Sequence, residues 1–217
     1  MAQENVQWLP LESNPEAMNK FLRTIGIPEP TQCVDVLGFD ADLVAMLPQP
    51  IYAVIFCFPD YRKFEAQFKP IYDKLAAEGA KVPEGVFFME QTIGNACGTF
   101  AIFHALANNA DKINLGNGTF KGFLEKAKTV DPKERSSLLA TNSSLATAHE
   151  GCAQAGDTVA EHENVEHHFI CYVNKNGQLL EIGGVLFSLI TFLLAAYFLC
   201  SRLGDRFDIC VCWEIRS

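Results

Sequence analysis

The residue best placed for chemistry is Cys97, which closes a turn of small residues and opens an apolar run. The turn is Gly94-Asn95-Ala96-Cys97-Gly98, and residues 99–107 carry apolar side chains on almost every helical face. A helix that is apolar nearly all round is buried in the middle of a domain, so Cys97 is predicted to lie in the first turn of a central helix. The positive end of a helix and a nearby imidazolium lower a thiol pKa by several units from about 8.5, which favours the nucleophilic thiolate. For a lone cysteine, a small buried core side chain is the commoner role.

A nucleophilic thiolate also needs a histidine, and the sequence has five. His104 follows the cysteine by two helical turns, about 10 Å along the axis, which is too far for its ring to reach the sulfur. His149 and His162 are predicted to lie exposed in a flexible polar segment. His167 and His168 are adjacent in a predicted strand, so they point to opposite faces and only one of them can meet the thiol. Residue type alone does not choose between these two.

Helices and strands that could position these residues are predicted from hydrophobic periodicity and from turn residues. Helices are predicted at 15–24, 40–47, 61–78, 97–107, 120–128 and 132–139, and strands at 51–58, 86–89, 165–173 and 178–182. Pro70 must kink or split the third helix. Asn176-Gly177 is typical of a two-residue type I′ turn, which would join the last two strands as an antiparallel hairpin. Residues 141–164 are polar and lack sustained periodicity, so a long loop is predicted there.

The composition favours one globular domain in a reducing compartment. The chain has 217 residues, of which 49% are hydrophobic, and its net charge of −9 disfavours nucleic acid as a partner. Its eight cysteines are scattered without a CxxC pair, so neither a disulfide scaffold nor a zinc site is predicted, and we expect no metal or organic cofactor. The N-terminus lacks the basic and apolar regions of a signal peptide. We therefore expect a cytoplasmic protein, and a monomer.

Three separated motifs follow one another along the chain. They are Trp8-Leu9-Pro10-Leu11-Glu12-Ser13-Asn14-Pro15-Glu16, then Gln91-Thr92-Ile93-Gly94-Asn95-Ala96-Cys97-Gly98-Thr99 with Asn108-Asn109, and His168-Phe169-Ile170. Together they resemble the N-terminal, nucleophile and histidine segments of the ubiquitin C-terminal hydrolases, a family of papain-like thiol peptidases. The resemblance covers about residues 6–182. It implies one domain over residues 1–217 of the α/β class (α+β type), with a central, mainly antiparallel sheet and helices on both faces.

The resemblance also implies roles for individual residues. It makes Cys97 the nucleophile, His168 the base, and Gln91 a side-chain donor to the oxyanion, a role typically worth about 10²–10³ in rate. A glutamine that caps a turn is the structural alternative for Gln91. The segment Leu9-Pro10-Leu11-Glu12 would help to hold ubiquitin. Residues 141–164 would form the crossover loop that screens the site and limits the size of the leaving group.

The residue that would hold the imidazole in position is missing from its expected place. If Asn176-Gly177 is a two-residue turn, Ile170 pairs with position 183, which then lies diagonal to His168 at about 7–8 Å on the same face. The family carries an aspartate there, fifteen residues after the histidine and followed by glycine, whereas this chain has Gly183-Gly184. Glu181 shares the face but lies a further pair along. We therefore predict a loss of activity of roughly 10- to 10⁴-fold.

The tail, residues 183–217, departs from the family pattern. The resemblance leads us to expect a loop, an amphipathic helix and a final strand inserted into the central sheet. Residues 185–200 are too apolar for that helix, whereas residues 207–215, in which Cys210 and Cys212 alternate, have the pattern of that strand. The uncharged run up to residue 201 is at the lower limit of a membrane span. Arg202 and Arg206 would place the C-terminus in the cytosol and the thiol domain on the wrong side of a membrane, so a membrane partner is not favoured.

Three functions are compatible with these features. The favoured one is a thiol-dependent deubiquitinase that hydrolyses small adducts or peptides from the C-terminal glycine of ubiquitin, impaired because Gly183 replaces the orienting aspartate. The second is a catalytically weak ubiquitin-binding protein. The third and least favoured is a protein anchored to a membrane by its tail.

Overall fold

The computed structural model describes residues 6–59, 61–79, 84–156, 165, 167–183, 187–189 and 208–213. Seven helices and six strands lie within these ranges. The helices are α1 (Pro15–Thr24), α2 (Ala41–Ala45), α3 (Tyr61–Ala77), α4 (Cys97–Asn108), α5 (Thr119–Ala127), α6 (Pro132–Ala140) and α7 (Ser143–Ala153). The strands are β1 (Gln32–Asp35), β2 (Ile51–Phe58), β3 (His168–Lys175), β4 (Gln178–Gly183), β5 (Phe187–Leu189) and β6 (Asp208–Trp213).

The strands form one sheet in the order β1-β6-β2-β3-β4-β5, and every neighbouring pair is antiparallel. The predicted antiparallel sheet is therefore confirmed. Strand β6, which comes from the divergent tail, lies between β1 and β2, as expected for the final strand. Within the apolar run 185–200, the structure describes residues 187–189, which pair with β4 as β5. The rest of that run lies outside the described residues.

The hairpin of β3 and β4 has the predicted register. Asn176 and Gly177 have φ angles of 54° and 78°, the positive values that a type I′ turn requires and that asparagine and glycine tolerate. Tyr172 pairs with Glu181, and Ile170 pairs with position 183. Since side chains alternate between the faces of a strand, the side chain at 168 and position 183 lie on the same face of the sheet.

Helices cover both faces of this sheet, as predicted. All residues of α4 are buried, and they share one hydrophobic cluster with sheet residues such as Ile55, Cys171 and Val173. On the opposite face, the hydroxyl of Tyr72 in α3 donates a hydrogen bond to Glu181 in β4. Helix α3 continues through Pro70, so of the two predicted alternatives, a kink or a split, the split does not occur.

The strand predicted at residues 86–89 does not form. The backbone N–H of Phe87 donates to Asn108 Oδ1 over 2.8 Å, and the N–H of Met89 donates to His104 Nε2 over 3.0 Å. In return, Asn108 Nδ2 donates to the carbonyl of Phe87 over 2.9 Å. Because side chains of α4 satisfy these backbone groups, the segment needs no neighbouring strand.

The long loop predicted at 141–164 is wrong for its first part, because Ser143–Ala153 form helix α7. Asn142 caps this helix by accepting a hydrogen bond from the N–H of Leu145. The buried face consists of Leu145, Ala148, His149, Cys152 and Ala153. The helical spacing of this face is hard to recognise in the sequence, because most of its side chains are small or polar. Residues 157–164 lie outside the described residues.

Candidate active site

Cys97 is the first residue of α4, and the backbone around it is arranged to leave the start of the helix open. The residue before it, Ala96, offers no side-chain hydrogen bond to the helix, and Asn95 adopts a left-handed conformation with φ of 59°. The N-terminal segment stabilises this turn, since the N–H of Trp8 donates a hydrogen bond to the carbonyl of Gly94 over 3.0 Å. An uncapped helix N-terminus presents free N–H groups and a partial positive charge, which together favour an anion.

The thiol of Cys97 is buried, and opposing influences act on its charge. Burial raises the pKa of Cys97 above its ordinary value, while backbone hydrogen bonds from Phe169, Gly98 and Cys97 itself lower it, with burial the larger effect. Phe169 directly follows His168 in β3. The structure therefore brings the sulfur against the strand that begins with the predicted base.

The two adjacent histidines differ in exposure as their alternation requires. His167 is exposed, whereas His168 is the first residue of β3 and is buried. The ring of His168 meets the ring of Phe58 edge to face, with 5.9 Å between the centroids. Burial lowers the pKa of His168 to about 4. At neutral pH this imidazole is uncharged, so it is able to accept a proton from a thiol.

No carboxylate comes from the two β4 positions that share the face of His168. Gly183 has no side chain, and Glu181 is engaged elsewhere, because it accepts hydrogen bonds from the hydroxyls of Tyr72 over 2.5 Å and Tyr172 over 2.7 Å. Burial raises the pKa of Glu181. The arrangement at this end of α4 is thus a buried thiol and a neutral imidazole, without an anion from either position to stabilise an imidazolium.

Gln91 lies in the turn before the cysteine and is half-buried. Its Nε2 donates to the carbonyl of Ile93 over 3.2 Å, which is the turn-capping contact considered as the alternative role. Its Oε1 is buried without a hydrogen-bond partner among the described residues. A side-chain amide has two N–H groups, so the turn contact leaves one for an oxyanion.

The predicted substrate-holding segment runs beside the start of α4. Leu11 is 5% exposed and packs on Gly98, where an added Cβ would lie 3.1 Å from Leu11 Cβ, so glycine permits this close approach. Leu9, Pro10 and Glu12 are partly exposed. Leu11 therefore belongs to the core, and its three neighbours are the members of the segment that can reach a ligand.

Residues 8–188 match a family model described as ubiquitin carboxyl-terminal hydrolase, family 1. The chain belongs to this family. The match ends at residue 188 and not at 182, so the family pattern continues into the first part of the tail. The family consists of cysteine-type hydrolases, which confirms the predicted enzyme class.

Individual members of the family are similar over most of their length. A ubiquitin carboxyl-terminal hydrolase of Aplysia californica is 42% identical over 187 residues, which cover 85% of this chain and 84% of that protein. One from Drosophila melanogaster is 38% identical over 178 residues, covering 82% and 78%. The catalytic domain of UCH37 from Trichinella spiralis, solved bound to ubiquitin vinyl methyl ester, superposes with a TM-score of 0.72 at 22% identity, covering 100% of this chain and 98% of that one. This superposition shows that the chain has the fold of the family.

The family motifs do not include His149, and the prediction that it is exposed is wrong. It is 1% exposed in helix α7. Its Nδ1 lies 2.7 Å from Thr99 Oγ1 in α4, and its Nε2 lies 2.6 Å from the carbonyl oxygen of Leu9. The sequence signal that would have located it is its spacing from the buried Leu145, Ala148 and Cys152. His162 lies outside the described residues.

His104 takes no part in this site, as its distance along the helix predicted. It is fully buried, accepts the N–H of Met89, and stacks with Phe88 at 5.7 Å between ring centroids. Burial lowers its pKa to about 3, so it is neutral at neutral pH. Its role is to satisfy the backbone of residues 86–89.

The described ranges contain no cluster of side chains suited to a metal ion. No group of three or more histidine, cysteine, aspartate or glutamate side chains there is arranged to hold a metal ion. No disulfide joins any two of the cysteines whose side chains are described, namely Cys33, Cys57, Cys97, Cys152 and Cys171. Among the helices that the structure describes, none has the length and apolar character needed to cross a membrane.

Proposed function

We propose that the protein is a thiol-dependent deubiquitinase that hydrolyses small adducts or peptides from the C-terminal glycine of ubiquitin. The observation that carries this proposal is the position of Cys97, at the uncapped start of a buried helix and against the strand that begins with His168. Membership of the family supports the substrate, and the related UCH37 domain of Trichinella spiralis was solved bound to a ubiquitin vinyl methyl ester.

The neutral ring of His168 and the contact of the Cys97 sulfur with the backbone of the next residue, Phe169, support a general-base route to the nucleophile. Neutral His168 takes the proton of Cys97, and the sulfur attacks the carbonyl carbon of the last glycine of ubiquitin. N–H groups of the first helical turn and the free N–H of Gln91 stabilise the oxyanion. The imidazolium gives its proton to the leaving amine, and a thioester remains. His168 then takes a proton from water, which hydrolyses the thioester and restores the thiol.

Substrate is held by the N-terminal segment in this proposal. Leu9, Pro10 and Glu12 contact the ubiquitin chain, while buried Leu11 fixes their position against Gly98. The crossover segment that limits the leaving group is shorter than the sequence predicted, because α7 occupies residues 143–153. It would comprise residues 154–164.

The position of the tail strand and the pattern of cysteines support proposals on the domain organisation and the cellular compartment of the protein. Strand β6 of the tail lies inside the sheet, which supports one domain over residues 1–217. The scattered cysteines, without a CxxC pair, favour a reducing compartment such as the cytoplasm, where we propose that the protein acts as a monomer on ubiquitin.

We propose further that turnover is below that of family members with the aspartate, by roughly 10- to 10⁴-fold. Gly183 supplies no carboxylate, and burial moves the pKa values of both Cys97 and His168 away from an ion pair. The same observations favour a second candidate function, a ubiquitin-binding protein with little catalysis.

Labelling with ubiquitin vinyl methyl ester separates the two candidates. We expect the wild-type chain to gain the mass of one ubiquitin at Cys97, and a Cys97→Ser variant to gain none while binding ubiquitin as tightly as the wild type. Tight binding of ubiquitin without labelling would support the binding protein. If the wild-type chain is not labelled and does not bind ubiquitin, both candidate functions are wrong.

A further inference from the structure

Three parts of the fold meet at the buried imidazole of His149. The ring belongs to α7, whose C-terminal end leads into the segment proposed to limit the leaving group. It contacts α4 through Thr99, two residues after the nucleophile, and the N-terminal segment through the carbonyl of Leu9. The rings of Trp8 and Phe21 enclose it, with centroids 4.6 and 6.3 Å away.

The contacts of His149 determine where its proton lies. A carbonyl oxygen accepts hydrogen bonds and cannot donate, so the 2.6 Å contact with Leu9 places the proton on Nε2. In the neutral ring Nδ1 is then an acceptor, and it receives the hydroxyl proton of Thr99. Burial lowers the pKa of His149 to about 4, which agrees with a neutral ring at neutral pH.

The N-terminal segment is attached to the fold on both sides of Leu9. Before it, the N–H of Trp8 donates to Gly94, in the turn that precedes the nucleophile. After it, Glu12 packs directly on Gly156, just beyond the end of α7, where an added Cβ would collide with its carboxylate. Between these attachments the hydrogen bond from His149 fixes the carbonyl of Leu9, and with it the peptide plane that joins Leu9 to Pro10.

We propose that His149 is a positioning residue that sets residues 8–12 against the start of α4, and thereby determines affinity for ubiquitin and not the reactivity of the thiol. This inference rests on the proposed role of the N-terminal segment in holding ubiquitin. His149 touches neither the sulfur nor the reacting carbonyl, so its effect is expected in KM and in the Kd for ubiquitin. It also links the N-terminal segment to helix α7.

Two isosteric substitutions separate the hydrogen bonds of His149. In His149→Asn, the side-chain oxygen replaces Nδ1 as acceptor for Thr99, and the donor to Leu9 is lost. In His149→Gln, the amide nitrogen replaces Nε2 as donor to Leu9, and the acceptor for Thr99 is lost. We expect the asparagine variant to raise KM for a ubiquitin–fluorophore amide by about tenfold, since a buried carbonyl loses its partner, with kcat within about twofold. The glutamine variant should keep KM within about threefold of the wild type, because its donor is retained.

The control variant is His104→Asn, which removes a buried acceptor from α4 on the side away from the N-terminal segment. It should lower thermal stability and leave KM unchanged. A rise of KM in this control would show that general destabilisation, and not the loss of the His149 hydrogen bond, raises KM. Hydrogen exchange of residues 8–12 and alkylation of Cys97 by iodoacetamide provide readouts without ubiquitin. We expect faster exchange in His149→Asn and an unchanged alkylation rate.

Several outcomes would overturn the inference. They are an unchanged KM and unchanged exchange in His149→Asn, an equal rise of KM in His149→Gln and His149→Asn, or a fall in alkylation that matches the fall in activity. Failure of the proposed function itself looks different, because the wild-type chain would then neither bind ubiquitin nor hydrolyse the substrate. In that case the exchange and alkylation results alone decide whether His149 positions the segment.

Discussion

Substituting Gly183 by aspartate adds the carboxylate that the family resemblance leads us to expect on the face of His168. The pairing of Ile170 with Gly183 sets the geometry, since His168 is one diagonal step away. Cβ atoms in this relation are about 7–8 Å apart, and the two side chains extend toward each other across that gap. Position 183 is buried, so solvent screens the new interaction only weakly.

The size of the effect follows from the distance and the present pKa. Two unit charges about 4 Å apart attract by about 4 kcal/mol at an effective dielectric constant of about 20. Part of this is lost because the aspartate must itself be ionised in a buried place. The pKa of His168 lies at about 4, and a neighbouring carboxylate should raise it to between about 5 and 7. We expect kcat/KM to rise by roughly 10- to 10⁴-fold, about 1.4–5.5 kcal/mol of barrier.

Two assays follow the change, one with ubiquitin and one without. Hydrolysis of a ubiquitin–fluorophore amide gives kcat/KM, and alkylation of Cys97 by iodoacetamide across pH reports the thiolate. In the wild type, burial raises the pKa of the thiol and keeps the imidazole neutral, so alkylation should become fast only at alkaline pH. In Gly183→Asp the imidazolium forms more readily and stabilises the thiolate, so fast alkylation should extend to neutral pH. A Cys97→Ser background subtracts the reaction of the other thiols.

The matched control is Gly183→Asn, which supplies a hydrogen-bonding group of the same shape without the charge. We expect it to give a smaller gain in kcat/KM and no shift of the alkylation profile. If Gly183→Asp melts at the wild-type temperature and shows no gain in either assay, the missing carboxylate does not limit activity. If the asparagine and aspartate variants behave alike, the electrostatic reasoning is refuted.

The remaining predictions concern the oxyanion, the core and acid stability. Gln91→Ala should lower kcat by about 10²–10³ without changing the alkylation rate of the nucleophile, and unchanged turnover would leave this side chain with the turn contact alone. Asn108→Ala removes the hydrogen-bond partner of both the N–H and the carbonyl of buried Phe87. The free energy of unfolding in urea should therefore fall by about 2–4 kcal/mol, and a fall below about 1 kcal/mol would contradict this. His104, His149 and His168 have folded pKa values lowered to about 3, 4 and 4, against 6.5 for the unfolded chain, so the stability they contribute is complete above pH 6.5 and is lost as pH falls. The free energy of unfolding should decline by up to about 4 kcal/mol per pH unit below that point, as measured by melting at several pH values, and His149→Gln should make the decline shallower.

Elements with local signals were predicted well from the sequence. Helix α1 begins where Asn14 accepts hydrogen bonds from the N–H groups of Glu16 and Ala17, and proline at its first position has no N–H to lose. The hairpin register followed from the Asn176-Gly177 turn, because a two-residue turn leaves one way to pair the flanking strands. That register alone places position 183 opposite Ile170 and diagonal to His168.

Features that depend on partners distant in sequence were not predictable in this way. Residues 86–89 have the composition of a strand, but Asn108 and His104 satisfy their backbone from a helix. His149 has the surroundings of a loop histidine in sequence, yet it is buried because Trp8 and Phe21 arrive from the N-terminal segment and α1. In both cases a polar side chain inside the core replaces a contact that an isolated segment would need from water or from a strand.

The site divides into a reacting part and a holding part that rest on different elements. In the proposed mechanism the reacting part consists of Cys97 and His168, and we expect its charges to depend on position 183 in β4. The holding part consists of the N-terminal segment, and its position depends on Gly94, Gly98 and α7. Loss of the carboxylate should therefore weaken turnover and leave ubiquitin affinity intact, whereas loss of the His149 hydrogen bond should do the reverse. If the two substitutions are combined, their effects on kcat/KM should multiply, because changes at sites without shared partners add as free energies.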